Sequence, residues 1–201
     1  MARAAPYDRE TALESALALF WDKGFHATSL KDLEKTLMMK PGSIYAAFSS
    51  KENLYLLALE RYFNASRARL QDQVKNANSP LAALADYLRS FARLAPDDRA
   101  RQACMLTKTL VDTRSTEPSI AVATQRYLSE IQDEFSAVFR MSQSCAELSD
   151  QLDANRLARR FQANVTALRL ALHQGMEPAA FAELAEDMAR EIEDMRLPQN
   201  G

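Results

Sequence analysis

The sequence predicts an all-α protein of about nine helices, and three observations carry that expectation. Glycine and proline are scarce, four and seven in 201 residues, while Ala, Leu, Glu and Arg are abundant. Apolar residues recur three or four apart through most of the chain, which is helical periodicity. The periodic runs are separated by residues that start or stop helices.

Taken in order, the first helix is expected over residues 7–23. Leu13, Ala16, Leu17 and Phe20 trace one face, Trp21 adjoins it as core packing, and Gly24 follows as a helix-ending glycine. Thr28 and Ser29 are good N-caps for a short helix with Leu30, Leu33 and Leu37 at helical spacing. After a brief break, Pro41 suits the first turn of a second short helix, since its missing N–H would lack an intrahelical partner anyway. Ile44 and Phe48, four apart, are that helix's apolar face. Ser49 and Glu52 have capping-box spacing and are expected to open a long helix over residues 51–74.

Residues 76–80 (Asn-Ala-Asn-Ser-Pro) are a polar break, followed by the stripe Leu81, Leu84, Leu88, Phe91. Ala95-Pro96-Asp97-Asp98 breaks the chain again, and Asp98 is expected to cap a helix carrying Cys104, Leu106, Leu110 and Val111. Pro118 opens a long helix with Ile120, Tyr127, Ile131, Phe135, Val138 and Phe139, and a polar connection is expected from Ser142 to an N-cap at Asp153. The last two helices carry Leu157, Phe161, Val165, Leu168, Leu172 and then Phe181, Leu184, Met188, Ile192, Met195. Two sustained stripes in consecutive helices predict an antiparallel pair. Small residues on a second side (Ala158, Ala167, Ala171; Ala180, Ala185, Ala189) would let the pair pack twice. A four-helix dimer interface needs such a pair, and the expected interface residues are Leu157, Phe161, Leu168, Ala171, Leu172, Phe181, Leu184, Met188 and Ile192.

Two short helices joined by a tight turn, the second led by Pro41, have the outline of a helix-turn-helix, whose second helix enters a DNA major groove. The residues make the match more specific. Thr28-Ser29-Leu30, then Gly42-Ser43-Ile44-Tyr45 with Phe48, then Ser50-Lys51-Glu52 with Leu54, resembles the tetracycline-repressor (TetR/AcrR) family of bacterial transcription regulators. The likeness runs from about residue 7 to 62 without insertion and includes Gly24-Phe25. It is looser beyond, where Cys104-Met105-Leu106 and Leu152-Asp153 sit where relatives carry similar residues.

The resemblance implies a helix-turn-helix domain over residues 1–50 and a ligand-binding and dimerisation domain over residues 51–201. It implies a homodimer on a palindromic operator, most simply a repressor, released by a small-molecule effector. Helix N-termini offer free N–H groups and partial positive charge to phosphates. Three fall here, near Ser29, Lys40 and Ser50. Thr28, Ser29, Tyr45 and Lys51 are the expected phosphate anchors, which set register without reading sequence. Base reading falls to Lys31, Lys40, Pro41, Gly42 and Ser43, with lysine suited to guanine and Pro or Ala to a thymine methyl. Arg3, in a loose arm, could reach a phosphate or the minor groove.

Two positions depart from the family. Ala46 and Ala47 stand where many relatives carry aromatic residues or histidine. Met38 occupies the turn where relatives commonly have glycine; a left-handed backbone would cost a methionine on the order of 1–2 kcal/mol, so another turn type is expected. The effector is expected among the fourth to eighth helices, with Phe63, Phe91, Cys104, Met105, Lys108, Tyr127, Phe135, Phe161 and Asn164 as candidates. Asn164 is informative because a buried amide needs partners. Mostly apolar walls with an amide, a thiol and an ammonium suit a small, neutral or anionic effector. Lys108, four residues beyond Cys104, would share its helical face and could stabilise a thiolate, the basis for an alternative reading as a redox or electrophile sensor.

Composition limits other functions. With 47% hydrophobic and 26% charged residues the chain is an ordinary globular protein. No membrane-length apolar run and no signal peptide are found, so a cytoplasmic location is expected. Cys104 and Cys145 are the only cysteines, and His26 and His173 are isolated, so neither a disulfide nor a metal site is expected, and no cofactor. An enzyme on a helical bundle would need convergent Glu and His ligands, which are missing. Net charge is −2, yet residues 23–51 hold five lysines against two acids, a local excess of three positive charges. A small basic face suits a sequence-specific reader.

Overall fold

The structure, a computed structural model, describes residues 8–198, so Arg3 lies outside the described residues. Among them are nine α-helices and no strand: α1 (Arg9–Lys23), α2 (Leu30–Leu37), α3 (Pro41–Phe48), α4 (Lys51–Asn76), α5 (Pro80–Ser90), α6 (Met105–Thr113), α7 (Pro118–Ser144), α8 (Ala154–His173) and α9 (Pro178–Glu193). Short 3-10 turns occupy Phe91–Arg93 and Arg99–Arg101. The all-α expectation holds.

The chain divides into two compact units, one of residues 8–64 with Lys108–Tyr127, the other of Ala65–Thr107 with residues 128–198. In the first, α1 starts at Asp8, whose carboxylate accepts from the Glu10 N–H at 3.0 Å. It ends at Gly24, where φ is +82° and a Cβ would meet the Asp112 carboxylate at 3.3 Å. Leu13, Ala16, Leu17 and Phe20 are buried as their spacing predicts. Leu33 and Leu37 of α2, Ile44 and Phe48 of α3, and Leu54, Tyr55 and Leu59 of α4 are buried as well, all under 10% exposed. The Phe20 and Phe25 rings meet Tyr55 edge-on at 4.7 and 5.1 Å, and Trp21 meets Tyr62 at 4.9 Å. Burial pushes the Tyr55 phenol up to about 12, although its hydrogen bond with the Thr109 hydroxyl acts in the opposite direction.

Two caps differ from expectation. The capping box lies at α2: Ser29 Oγ accepts from the Asp32 N–H, and the Asp32 carboxylate accepts from the Ser29 N–H. At α4 the cap is Ser50, which accepts from Asn53 N at 2.9 Å, while Ser49 closes α3 with φ +66°. Asp98 caps only the 3-10 turn, donors coming from Ala100 N, and α6 begins at Met105. Cys104 therefore precedes the helix, and Val111 is 83% exposed rather than on an apolar face.

In the second unit α5 packs on α9, and α8 packs on α9 as an adjacent pair. Asp153 caps α8 by accepting from the N–H groups of Asn155 and Arg156, and Pro178 stands in the first turn of α9. The core joins Leu81, Leu84, Tyr87 and Leu88 of α5 to Phe135 and Phe139 of α7, Phe161 and Leu168 of α8, and Phe181 and Ile192 of α9. Arg89 ties α5 to α9, its Nε 2.7 Å from Glu186 and its Nη1 2.7 Å from Glu193.

The Arg89 hydrogen bonds pull Glu186 down to about 2 and lower Glu193 as well, from ordinary values near 4.5. A carboxylate depressed on folding contributes stability above its unfolded pKa and loses it as pH falls through the folded one. The denaturation midpoint should therefore drop between about pH 4.5 and 2, and Arg89→Met should flatten that slope. Equal slopes in urea titrations of the two proteins would show that the cluster contributes nothing.

Candidate nucleic-acid interface

The candidate DNA-reading residues lie on the first unit. On α3, Ile44 and Phe48 are buried at 2% and 1%, which turns Gly42, Ser43, Tyr45 and Ala46 outward. Lys40, the exposed N-cap of that helix, makes no side-chain cap, and Pro41 is half-buried. The Tyr45 ring is 46% exposed. A Cβ built on Gly42 meets nothing within 4 Å, so the protein itself does not require glycine there.

The lysines are not equivalent. Lys23 is bound to Asp32 at 2.7 Å; that bond, with those from Ser29, holds the Asp32 carboxyl well below the usual range. Lys31, Lys35 and Lys40 are exposed. Lys51 is half-buried with its ammonium 4.4 Å from the Phe25 ring centroid, and burial lowers its pKa against the pull of Glu117 and Asp32.

Thr28 is a correction. Its side chain is fully buried and its hydroxyl donates to the Gly24 carbonyl at 2.7 Å, so it closes the α1–α2 turn rather than facing a phosphate. Ser29 is exposed, with its hydroxyl donating to Asp32 at 2.7 Å. Met38 is a second correction. It adopts the left-handed conformation after all, φ +53° and ψ +36°, with its N–H returned to the Glu34 carbonyl and its side chain 92% exposed.

The effector candidates divide between the units. Phe63 and Tyr127, in the first, stack at 4.8 Å with 20° between planes. Lys108, also there, donates to the Trp21 carbonyl at 2.6 Å, so its ammonium caps the end of α1. Neither a pocket role nor a partnership with Cys104 on one helical face follows from that position. In the second unit Phe135 and Phe161 meet at 4.7 Å, joined by Tyr87, which meets Phe91 at 5.5 Å. Met105 is 1% exposed and Cys104 half-buried. Asn164 borders a crevice of about 30 Å³ with Phe139, Leu157 and Glu191, room for about one water.

Arg169 was missed. It is 7% exposed in α8, with its guanidinium 5.7 Å from the Phe91 ring centroid and Nη2 3.5 Å from the Ala100 carbonyl. Burial pushes the Tyr87 hydroxyl up, and the nearby Arg169 charge opposes the push. The signal was present: Arg169 stands four residues after Val165, on the face of an apolar stripe.

Of the expected interface residues, Leu157, Phe161, Leu168, Ala171, Leu172, Phe181 and Ile192 are buried within the protomer. That face of α8 and α9 is already covered by the protomer's own core. Leu184 and Met188 are only partly buried. The uncovered side of α8 carries Ala163, Ala167 and Leu170, the last 49% exposed. Among the described residues no group of three or more His, Cys, Asp and Glu could hold a metal, and no helix is long and apolar enough to cross a membrane.

Residues 12–58 match the family described as bacterial regulatory proteins, tetR family. The chain is 39% identical over 87 residues to the HTH-type transcriptional repressor ComR of Escherichia coli strain K12, a match covering 43% of this chain and 41% of ComR. It is 24% identical over 177 residues to the HTH-type transcriptional regulator YezE of Bacillus subtilis strain 168, covering 83% of this chain and 91% of YezE. A cysteine-substituted CifR, a TetR family regulator bound to a 26-base-pair operator duplex, has a similar structure with a TM-score of 0.84 and 26% identity over 94% of this chain and 98% of that one. A TetR family regulator from Cytophaga hutchinsonii superposes with a TM-score of 0.83 at 19% identity, over 98% of this chain and all of the other.

Proposed function

We propose that this chain, which belongs to the tetR family of bacterial regulatory proteins, is a cytoplasmic repressor that binds a palindromic operator as a homodimer and leaves it when a small effector binds. It is a transcription regulator and not an enzyme. Residues 1–50 are assigned to DNA and residues 51–201 to the effector and the dimer. The observation that carries the reading is the outward face of α3, where Lys40, Gly42, Ser43 and Tyr45 stand opposite the buried Ile44 and Phe48.

The chemistry divides by position. N–H groups at the starts of α2, α3 and α4, with the Ser29 and Tyr45 hydroxyls and the Lys51 ammonium, hold phosphates. Lys31, Lys40, Pro41, Gly42 and Ser43 face base edges. The open space at Gly42 supports close approach of the duplex, and the short side chains of Ala46 and Ala47 leave part of the specificity to DNA shape. A dimer carries two such helices about 34–36 Å apart.

Dimerisation is assigned to the side of α8 that the protomer leaves open, with Ala163, Ala167 and Leu170, and to the parts of Leu184 and Met188 on α9 that the core leaves exposed. The effector is assigned to the second unit, around Tyr87, Phe91, Phe135 and Phe161. The Arg169 guanidinium beside Tyr87 and Phe91 favours an anionic effector over a neutral one. An effector that binds the DNA-incompetent state more tightly shifts the population off the operator.

The test is a titration of the full chain against duplexes at several salt concentrations. A preferred duplex with a steep salt slope is the expected result. Lys51→Ala should then weaken all duplexes alike and flatten the slope by roughly one unit. No preference for any duplex would overturn the reading, and a changed base preference in Lys51→Ala would overturn the anchoring role alone.

A further inference from the structure

Three described non-glycine residues have positive φ: Met38, Ser49 and Ala146. All three carry the Cβ that crowds the following carbonyl in that region, but only Met38 adds a long apolar side chain beyond it. The backbone gains a helix-ending hydrogen bond from the Met38 N–H to the Glu34 carbonyl, but the side chain gains no packing: at 92% exposed it is the most solvent-exposed large hydrophobic among the described residues. Its neighbour Met39 is 7% exposed and supplies the apolar anchor for the turn, so the core does not need Met38.

The position of that side chain is specific. It projects from the turn between α2 and α3, two residues before Lys40, the N-cap of the helix assigned to the groove. Lys35, Thr36, Lys40 and Gly42 around it in sequence are all exposed. An apolar side chain left this exposed gains hydrophobic free energy when another molecule covers it. The apolar feature a major groove offers is the C5-methyl of thymine. A thioether chain with three rotatable bonds adapts to such a contact.

We infer that Met38 is a specificity-determining residue that packs its side chain on a thymine methyl in each half-site. The inference rests on the operator-binding reading above. The contact selects thymine without a hydrogen bond.

The probe is the duplex that the wild-type full chain selects most strongly from a random pool, with each thymine replaced in turn by uracil, which lacks only the methyl. Wild type should lose affinity about four-fold at one thymine per half-site, the effect of one buried methyl group. Met38→Gly should bind the unmodified duplex about ten-fold more weakly, lose the uracil penalty at that position, and melt no lower than wild type because glycine accepts this backbone. Met38→Asn, which also tolerates the left-handed region, should behave alike on DNA. Undiminished affinity in both variants, or a uracil penalty equal to that of wild type, would overturn the inference while leaving operator binding intact. A pool that yields no preferred duplex would overturn operator binding, and this inference with it.

Discussion

On the proposed dimer, Ala167→Glu is expected to yield monomers and to cut operator affinity by at least about 100-fold, since one protomer would make only half of the phosphate contacts. Ala167 is exposed on α8, with Ala163 four residues before it and Leu170 three after, so the three share one side of the helix. A carboxylate there would meet water in the monomer and an apolar partner surface in the proposed dimer. The protomer should remain folded, with an unchanged circular dichroism melt at low protein concentration. Leu172→Glu is a different experiment. Leu172 is 5% exposed in the core, and a buried unpaired charge would unfold the protomer rather than separate two. Sedimentation velocity decides the matter: an intact dimer in Ala167→Glu moves the interface off this side of α8.

Phe161→Ala is expected to destabilise the protomer by about 3–5 kcal/mol, the usual range for removing a buried aromatic ring. Phe161 is 1% exposed and packs against Phe135 at 4.7 Å, Phe139 at 6.0 Å and Tyr87 at 6.2 Å. Its ring thus joins α5, α7 and α8. The urea midpoint of unfolding measures the loss. A change below about 1 kcal/mol would mean that the cluster collapses freely around the cavity. That result would favour a soft aromatic site able to rearrange around an effector.

The two experiments separate residues that looked alike in the sequence. Phe161 and Leu184 fall on consecutive apolar stripes, and both were expected at the dimer interface. Periodicity identifies a face, because i, i+3 and i+4 positions align on a helix. It does not identify what covers that face. Phe161 is covered by the protomer's own aromatic rings, while Leu184 remains partly open.

The candidate DNA-reading face was legible for a local reason. Ser29 as a cap, Pro41 in a first turn and Ile44 with Phe48 on one face are all decided within a few residues, and each is where its spacing placed it. Thr28 was not legible in the same way, since a hydroxyl at a helix start can serve a phosphate or a carbonyl. Only the approach of Gly24 decided for the carbonyl.

The sequence by itself determined the all-helical fold, the order of the helices and the breaks between most of them, because caps, breakers and 3.6-residue periodicity act over short range. Tertiary structure decided everything that depends on what arrives from far along the chain. Lys108 reaches the Trp21 carbonyl across 87 residues, Arg89 finds Glu186 and Glu193 across 97 and 104, and Arg169 is enclosed with Phe91 and Tyr87. A long charged side chain can satisfy itself in several directions, and its partner is chosen by packing of the apolar faces, which no local pattern encodes.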